Sequence, residues 1–179
     1  LATTGEQISS SDALHLDLID YHVPSDQLSA LQDELCNTAQ LTQHDIQQII
    51  SKYITRPVES ELSLLSDRIR QHFGFENIQE IEQSLANEQD ENAQAWASKI
   101  LTTLQQRSMV AKKTSLKMQH LGRSRSLQQC MQIERDLQDI WFEYGDFIEG
   151  VRALIVDKDK QPKWQVDNPA LDKILAELT

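Results

Sequence analysis

Glycine and proline are scarce in this sequence, five of one and four of the other among 179 residues. Few positions can therefore break a helix or turn through the left-handed region, and the composition favours helix nearly everywhere. No run of 18 apolar residues occurs, which leaves no candidate for a membrane-spanning helix. The two cysteines, Cys36 and Cys130, have neither CxxC nor zinc-ligand spacing, and both are expected as buried thiols in a reducing compartment. None of His15, His22, His44, His72 and His120 stands at ligand spacing to another His or Cys, which argues against zinc. There is no Gly-rich phosphate loop, no GxSxG elbow and no HExxH. Basic residues are sparse in the first half: residues 1–98 carry 4 Lys/Arg against 17 Asp/Glu. The net charge of −11 argues against a general nucleic-acid binder, because neutralising phosphates dominates that kind of affinity.

What is present is a series of amphipathic segments with polar starts. Ser9, Ser10 and Ser11 lead into a short capped helix over residues 12–18, and residues 21–23 read as one extended piece ended by Pro24. Ser25 caps a helix through about Thr38 with Leu28, Leu31 and Leu35 on one face. Thr42 caps the next, turning Ile46, Ile49, Ile50 and Tyr53 inward before Pro57. Leu62, Leu65 and Ile69 mark a helix from Ser60 to His72, ended near Gly74. Asn77 and Glu80 form a capping pair ahead of Ile78, Ile81 and Leu85, and residues 87–92 form a loop or a first turn. Trp96, Ile100 and Leu104 give a further stripe, with Trp96 and Trp141 expected in the core. Helices over 109–121 and 126–144 end at Gly122 and Gly145. Helix resumes over 146–156 with Phe147, Val151, Leu154 and Ile155 apolar, a charged turn follows to Gln161, and Asn168-Pro169 starts a final helix to Leu178. Successive helices with short connections predict an all-α antiparallel packing of one-domain length.

Candidates for chemistry are few. Residues 99–125 hold seven basic residues and no acidic one, a pattern that suits a solvated helix face, a phosphorylated ligand or an acidic partner. Glu143, Asp146 and Glu149 could do acid–base work as grouped carboxylates, but they read better as one helix end and the next helix start. Arg152, Lys158, Lys160 and Lys163 near Trp164 form a basic–aromatic cluster that could receive a phosphate and a purine, or be a solvated turn.

Residues 146–164, Asp146-Phe-Ile-Glu-Gly-Val-Arg-Ala-Leu-Ile-Val-Asp-Lys-Asp-Lys-Gln-Pro-Lys-Trp164, resemble the C-terminal signature of the 3-hydroxyisobutyryl-CoA hydrolase branch of the enoyl-CoA hydratase/isomerase (crotonase) superfamily. Leu1-Ala-Thr-Thr-Gly5, Ile8-Ser-Ser-Ser-Asp-Ala13, Leu16-Asp-Leu-Ile-Asp20 and Tyr21-His-Val-Pro24 resemble pieces that recur across the superfamily. Ser108, Lys113, Gly122 and Leu127 fall in register with a hydrolase tract in which Met109 replaces the usual Pro, and Met131-Gln-Ile-Glu134 resembles the branch's Met-Glu helix. Glu149-Gly-Val-Arg-Ala153 followed by Asp157-Lys-Asp159 and Pro162 separates the hydrolase branch from ordinary hydratases.

The resemblance implies an all-α C-terminal region of a crotonase-type protein with at most one short extended segment near residues 21–23. Residues 1–24 would close the crotonase core and residues 25–179 would form the helical region. It implies an acyl-CoA thioester hydrolase as parent, with acyl-CoA as substrate, no separate cofactor and no catalytic residue in this chain. Lys158, with Lys160, would lie near the CoA nucleotide, and Leu154 or Ile155 would stand where hydratases place an adenine-contacting Phe. The expected partners are the N-terminal core and further copies of the chain, with neither nucleic acid nor membrane. A start at Leu1 rather than Met reads as a piece of a longer protein, cytoplasmic or mitochondrial, with cytoplasmic favoured. A hydratase fragment and a helical interaction module remain the alternatives.

Overall fold

The computed structural model describes residues 1–177, and among them every regular element is helical and no strand is present. Residues 21–23, expected as an extended piece, are neither helix nor strand. Leu178, the expected end of the last helix, lies outside the described residues. Two compact units emerge: Gln7–Asp67, and Leu1–Glu6 together with the chain from Arg68 onward.

Within Gln7–Asp67 lie α1 (Ser10–His15), α2 (Leu28–Asn37), α3 (Gln43–Ser51) and the first part of α4 (Glu61–Phe73). Ser9 caps α1 in a reciprocal box with Asp12. Asp12 is buried and does more than cap: its carboxylate also accepts the Ser60 hydroxyl at 2.7 Å and the Leu62 N–H at 3.0 Å, fixing the start of α4. These donors, the Leu62 N–H foremost, hold the Asp12 carboxyl well below the usual carboxylate range. Thr42 caps α3 as the sequence predicts, and Asp45 reciprocates to close a capping box. Glu34 joins α2 to α3 by pairing with Lys52 and accepting the Tyr53 hydroxyl at 2.7 Å.

Several expectations fail in this unit: the first helix is Ser10–His15 rather than residues 12–18, and Ile46, expected to face inward, is exposed. Ser25 does not cap a helix; residues Ser25–Gln27 form a 3-10 turn in which the Gln27 N–H donates to Pro24 O, and α2 starts only at Leu28. Cys36 is exposed rather than buried, because α2 buries no residue fully and Cys36 lies off its Leu28–Leu31–Leu35 face. Cys130, in the other unit, is half-buried.

The second unit is built on α5 (Ile78–Ala86), α6 (Glu91–Gln105), α7 (Met109–Gly122), α8 (Leu127–Tyr144), α9 (Phe147–Val151) and α10 (Pro169–Glu177). Each of α5 to α8 and α10 begins at a polar side chain that accepts an orphan N–H: Asn77, Asp90, Ser108, Ser126 and Asn168. The stripes then sort into two clusters. Ile78, Ile81, Leu85, Ala97, Leu104 and Leu116 form the first, with Trp96 and Ile100 packed on it. Val110, Leu137, Leu171 and Leu175 form the second, with Trp141 against it. Helix α7 serves both through different faces.

Two basic residues, His72 and Lys112, are buried in this unit. The ring of His72, fully buried, meets the Ser84 hydroxyl at 2.9 Å through Nδ1 and Glu88 at 2.7 Å through Nε2, joining α4, α5 and the turn before α6. Lys112, only 3% exposed, donates to Glu82 at 2.5 Å and to Leu104 O at 2.8 Å. The basic stretch is therefore not a uniformly solvated face: Lys112 is interior, and Lys113 pairs with Asp172 at 3.3 Å.

An unpaired interior ammonium costs more than a missing pair. Glu82→Ala is therefore expected to lower unfolding free energy by about 3 kcal/mol in guanidinium titration, and Lys112→Met by less. Truncating the fully buried Leu104 to Ala is expected to cost about 3 kcal/mol in the same assay.

Candidate functional site

The tract that drew attention in the sequence is held in place from both ends. Helix α8 closes at Gly145, where an added Cβ would lie 2.6 Å from Trp141 O, so the chain turns there only with glycine. Asp146, 5% exposed, accepts the Ser108 hydroxyl at 2.5 Å and the Gln165 N–H at 3.1 Å. Ser108 thus caps α7 and anchors the tract in one stroke. Farther along, the Trp164 indole N–H donates to Gln106 O at 2.8 Å, and its ring packs on Gly150, where a Cβ would approach it to 3.3 Å.

Between these anchors, α9 gives way to a π-helical turn, Arg152–Val156, closed by the Asp157 N–H donating to Arg152 O at 2.8 Å. The sequence predicts one helix over 146–156 with Phe147, Val151, Leu154 and Ile155 as its apolar stripe. The wider turn changes which side chains face inward. Ala153 is buried at 2% exposure, while Leu154 and Ile155 stand 65% and 61% exposed. Phe147 stacks edge-on against Phe142, ring centroids 4.7 Å apart, and both remain partly exposed.

Arg152 is the hub of the tract. Its Nε and Nη2 donate to the two oxygens of Glu149, each at 2.8 Å, a bidentate fork. Its Nη1 donates to Asp157 at 2.5 Å and Asp159 at 2.7 Å, and Nη2 also reaches Gln161 O at 3.3 Å. Glu149 additionally accepts the Lys163 N–H at 2.6 Å. The charged residues of the Glu-Gly-Val-Arg-Ala and Asp-Lys-Asp motifs, other than Lys158, are therefore members of one network. The fork from Arg152, then the Lys163 N–H, brings the Glu149 carboxyl down from its ordinary 4.5 to about 2. Arg152 and the Gln161 N–H lower Asp159 as well, and the carboxylates, Glu149 first, raise Arg152.

This geometry divides the basic–aromatic cluster. Arg152 and Trp164 face structural partners, and Lys163 enters the network through its backbone. Lys158 and Lys160 are exposed and make no ion pair among the described residues. Both adopt the left-handed conformation, φ 57° and 56°. The three carboxylates weighed for acid–base work do not assemble into one site. Asp146 faces Ser108 and Gln165, Glu149 faces Arg152, and Glu143 lies exposed. No group of three His, Cys, Asp or Glu side chains could hold a metal ion, and no helix is long and apolar enough to cross a membrane, among the described residues. The Met131–Glu134 motif lines a groove of about 750 Å³ between α7 and α8, floored by Met118, Leu137 and Trp141.

Sequence reasoning missed the Ser108–Asp146 bridge and the His72 trio. The Ser108 cap has a local signal, a serine ahead of an apolar run; its partner lies 38 residues away and has none.

Residues 1–174 match the family model described as enoyl-CoA hydratase/isomerase. The mitochondrial 3-hydroxyisobutyryl-CoA hydrolase of Dictyostelium discoideum is 30% identical over 177 residues, covering 97% of this chain and 45% of that protein. The mitochondrial 3-hydroxyisobutyryl-CoA hydrolase of Homo sapiens is 26% identical over 170 residues, 92% of this chain and 43% of that protein. Small ribosomal subunit protein mS47 of Arabidopsis thaliana is 26% identical over 179 residues, 97% of this chain and 43% of that protein. The chain thus spans a little under half the length of these relatives. Enzymes and a ribosomal protein lie at similar identity, so the likeness fixes the family rather than the activity.

The network carries a pH signature. Because the Glu149 carboxyl is lowered to about 2 when folded, its contribution is fully present above the ordinary carboxylate range and is lost as pH falls toward about 2; Asp159, also lowered, adds to the loss in the same direction. Thermal melts are expected to show the parent losing stability across that interval and Glu149→Gln losing less.

Proposed function

This chain belongs to the enoyl-CoA hydratase/isomerase family, and we propose that it is the C-terminal helical portion of an acyl-CoA thioester hydrolase of the 3-hydroxyisobutyryl-CoA hydrolase type. The observation that carries the proposal is the near end-to-end likeness to proteins of that name, from organisms as distant as Dictyostelium discoideum and Homo sapiens. The Glu149–Arg152–Asp157–Asp159 network supports it, since it gives the branch's signature a common physical purpose.

In this reading water attacks the thioester carbonyl of 3-hydroxyisobutyryl-CoA, the C–S bond breaks, and 3-hydroxyisobutyrate and CoA leave, a step of valine breakdown. Two backbone N–H groups stabilise the developing oxyanion. Those groups and the assisting carboxylates belong to the part of the parent that precedes Leu1 in family order, so this chain alone is inactive. Its contribution is peripheral: Lys158, helped by Lys160, meets the CoA nucleotide, and the exposed Leu154 or Ile155 offers an apolar surface to the adenine. The mitochondrial naming of relatives favours that compartment over the cytoplasmic one expected from the sequence.

The exposed apolar residues of α8, α9 and the π-helical turn, Phe142, Phe147, Ile148, Leu154, Ile155 and Val156, suit contact with the core or with a second copy. A second reading, a helical interaction module without catalysis, draws on the same surface and on the likeness to a ribosomal subunit protein.

Hydrolysis of 3-hydroxyisobutyryl-CoA is expected from a protein extended upstream of Leu1 and not from the 179-residue chain. Equal activity in both would place catalytic groups here, and activity in neither would favour the interaction module. In the extended protein, Lys158→Ala is expected to raise KM for acyl-CoA about tenfold, the weight of one charge-assisted hydrogen bond, with kcat retained. The isolated chain is expected to self-associate in sedimentation.

A further inference from the structure

We propose that Arg152 is a positioning residue for acyl-CoA, holding residues 157–161 in the backbone form that presents Lys158 and Lys160 to the nucleotide phosphates. The inference rests on the reading of Lys158 as a CoA contact.

The starting observation is conformational. Lys158 and Lys160 both have φ near +56°, a region that side chains with a Cβ enter at a cost. Among the described residues, neither lysine side chain makes a bond that would offset it. What holds the turn comes from its neighbours. Asp157 and Asp159 converge on Nη1 of Arg152, Gln161 O accepts from Nη2, and the Lys160 N–H donates to Ala153 O at 3.0 Å. The alternation Asp-Lys-Asp-Lys is thereby sorted: the carboxylates gather on one guanidinium and the ammonium groups remain in solvent.

Arg152 does two things at once. It stabilises a strained backbone, and it occupies the two carboxylates that would otherwise pair with the adjacent lysines and cancel their charge. Both matter for a phosphate ligand, which needs free cations in a fixed place. The task calls for arginine, because one planar fork reaches Glu149, Asp157, Asp159 and Gln161 together, whereas a lysine ammonium is a single point charge.

The test is a cycle in the protein extended upstream of Leu1, with KM and kcat for 3-hydroxyisobutyryl-CoA measured for Arg152→Ala, the double variant Lys158→Ala/Lys160→Ala, and the triple. Arg152→Ala is expected to raise KM about tenfold with kcat retained, as loss of a charge-assisted contact would. The triple variant is expected to match the double one, because Arg152 acts through the lysines. Amide exchange at residues 157–161 should quicken in Arg152→Ala. Arg152→Lys, which keeps the charge, is expected to melt near the parent temperature yet leave KM raised, and it carries the test if Arg152→Ala fails to fold. Unchanged KM in both Arg152 variants, with KM raised in the lysine variant, overturns the inference and leaves the CoA reading intact. So does a triple variant whose effect is the product of the separate ones. Unchanged KM in the lysine variant removes the CoA reading and this inference with it.

Discussion

Every helix begins with N–H groups that have no partner in the helix itself, and in this protein polar side chains supply those partners at one start after another. Ser9, Thr42, Asn77, Asp90, Ser108, Ser126 and Asn168 each accept such a donor. With so little glycine and proline to interrupt the chain, these caps decide where one helix stops being possible and the next begins. Several have a second attachment that turns a local signal into tertiary structure. Ser108 donates to Asp146, Asp90 pairs with Arg68, and the Asn168 amide donates to Tyr144 O. The packing of α7 against its neighbours follows from starts fixed in this way.

Between the caps, two basic residues of the interior are matched by polar partners. Lys112 is accepted because a carboxylate and a helix-terminal carbonyl accept hydrogen bonds from its ammonium. His72 is accepted because Ser84 and Glu88 occupy both ring nitrogens. The His72 trio has the residue types of a hydrolytic site, but a ring with no exposed surface meets no substrate, so its chemistry here is cohesion. The half-buried counterpart is Arg152, which gathers Glu149, Asp157 and Asp159.

The apolar residues of the C-terminal tract tell the opposite story. Leu154, Ile155 and Val156 stand outside the core of their own unit. Exposed apolar side chains in such number, Phe142 and Phe147 among them, suit a surface that is covered by a partner. The relatives are more than twice as long as this chain, and the proposed function gives that surface to the remainder of such a protein or to another copy.

The sequence by itself determined the helical class, the caps at Ser9, Thr42 and Asn77, and the stripes through Ile78, Ile81, Leu85 and Leu104. Each of these is written within one helical turn, where side chain and backbone meet whatever the rest of the chain does. It also carried the family, because the signature is a contiguous tract. Tertiary structure alone decided the interior place of Lys112, the exposure of Cys36, the bridge from Ser108 to Asp146 and the π-helical turn that sends Leu154 and Ile155 outward. Those outcomes depend on partners tens of residues away, or on how one guanidinium is shared among several acceptors. Spacing along the chain does not encode such choices; they are made when the helices pack.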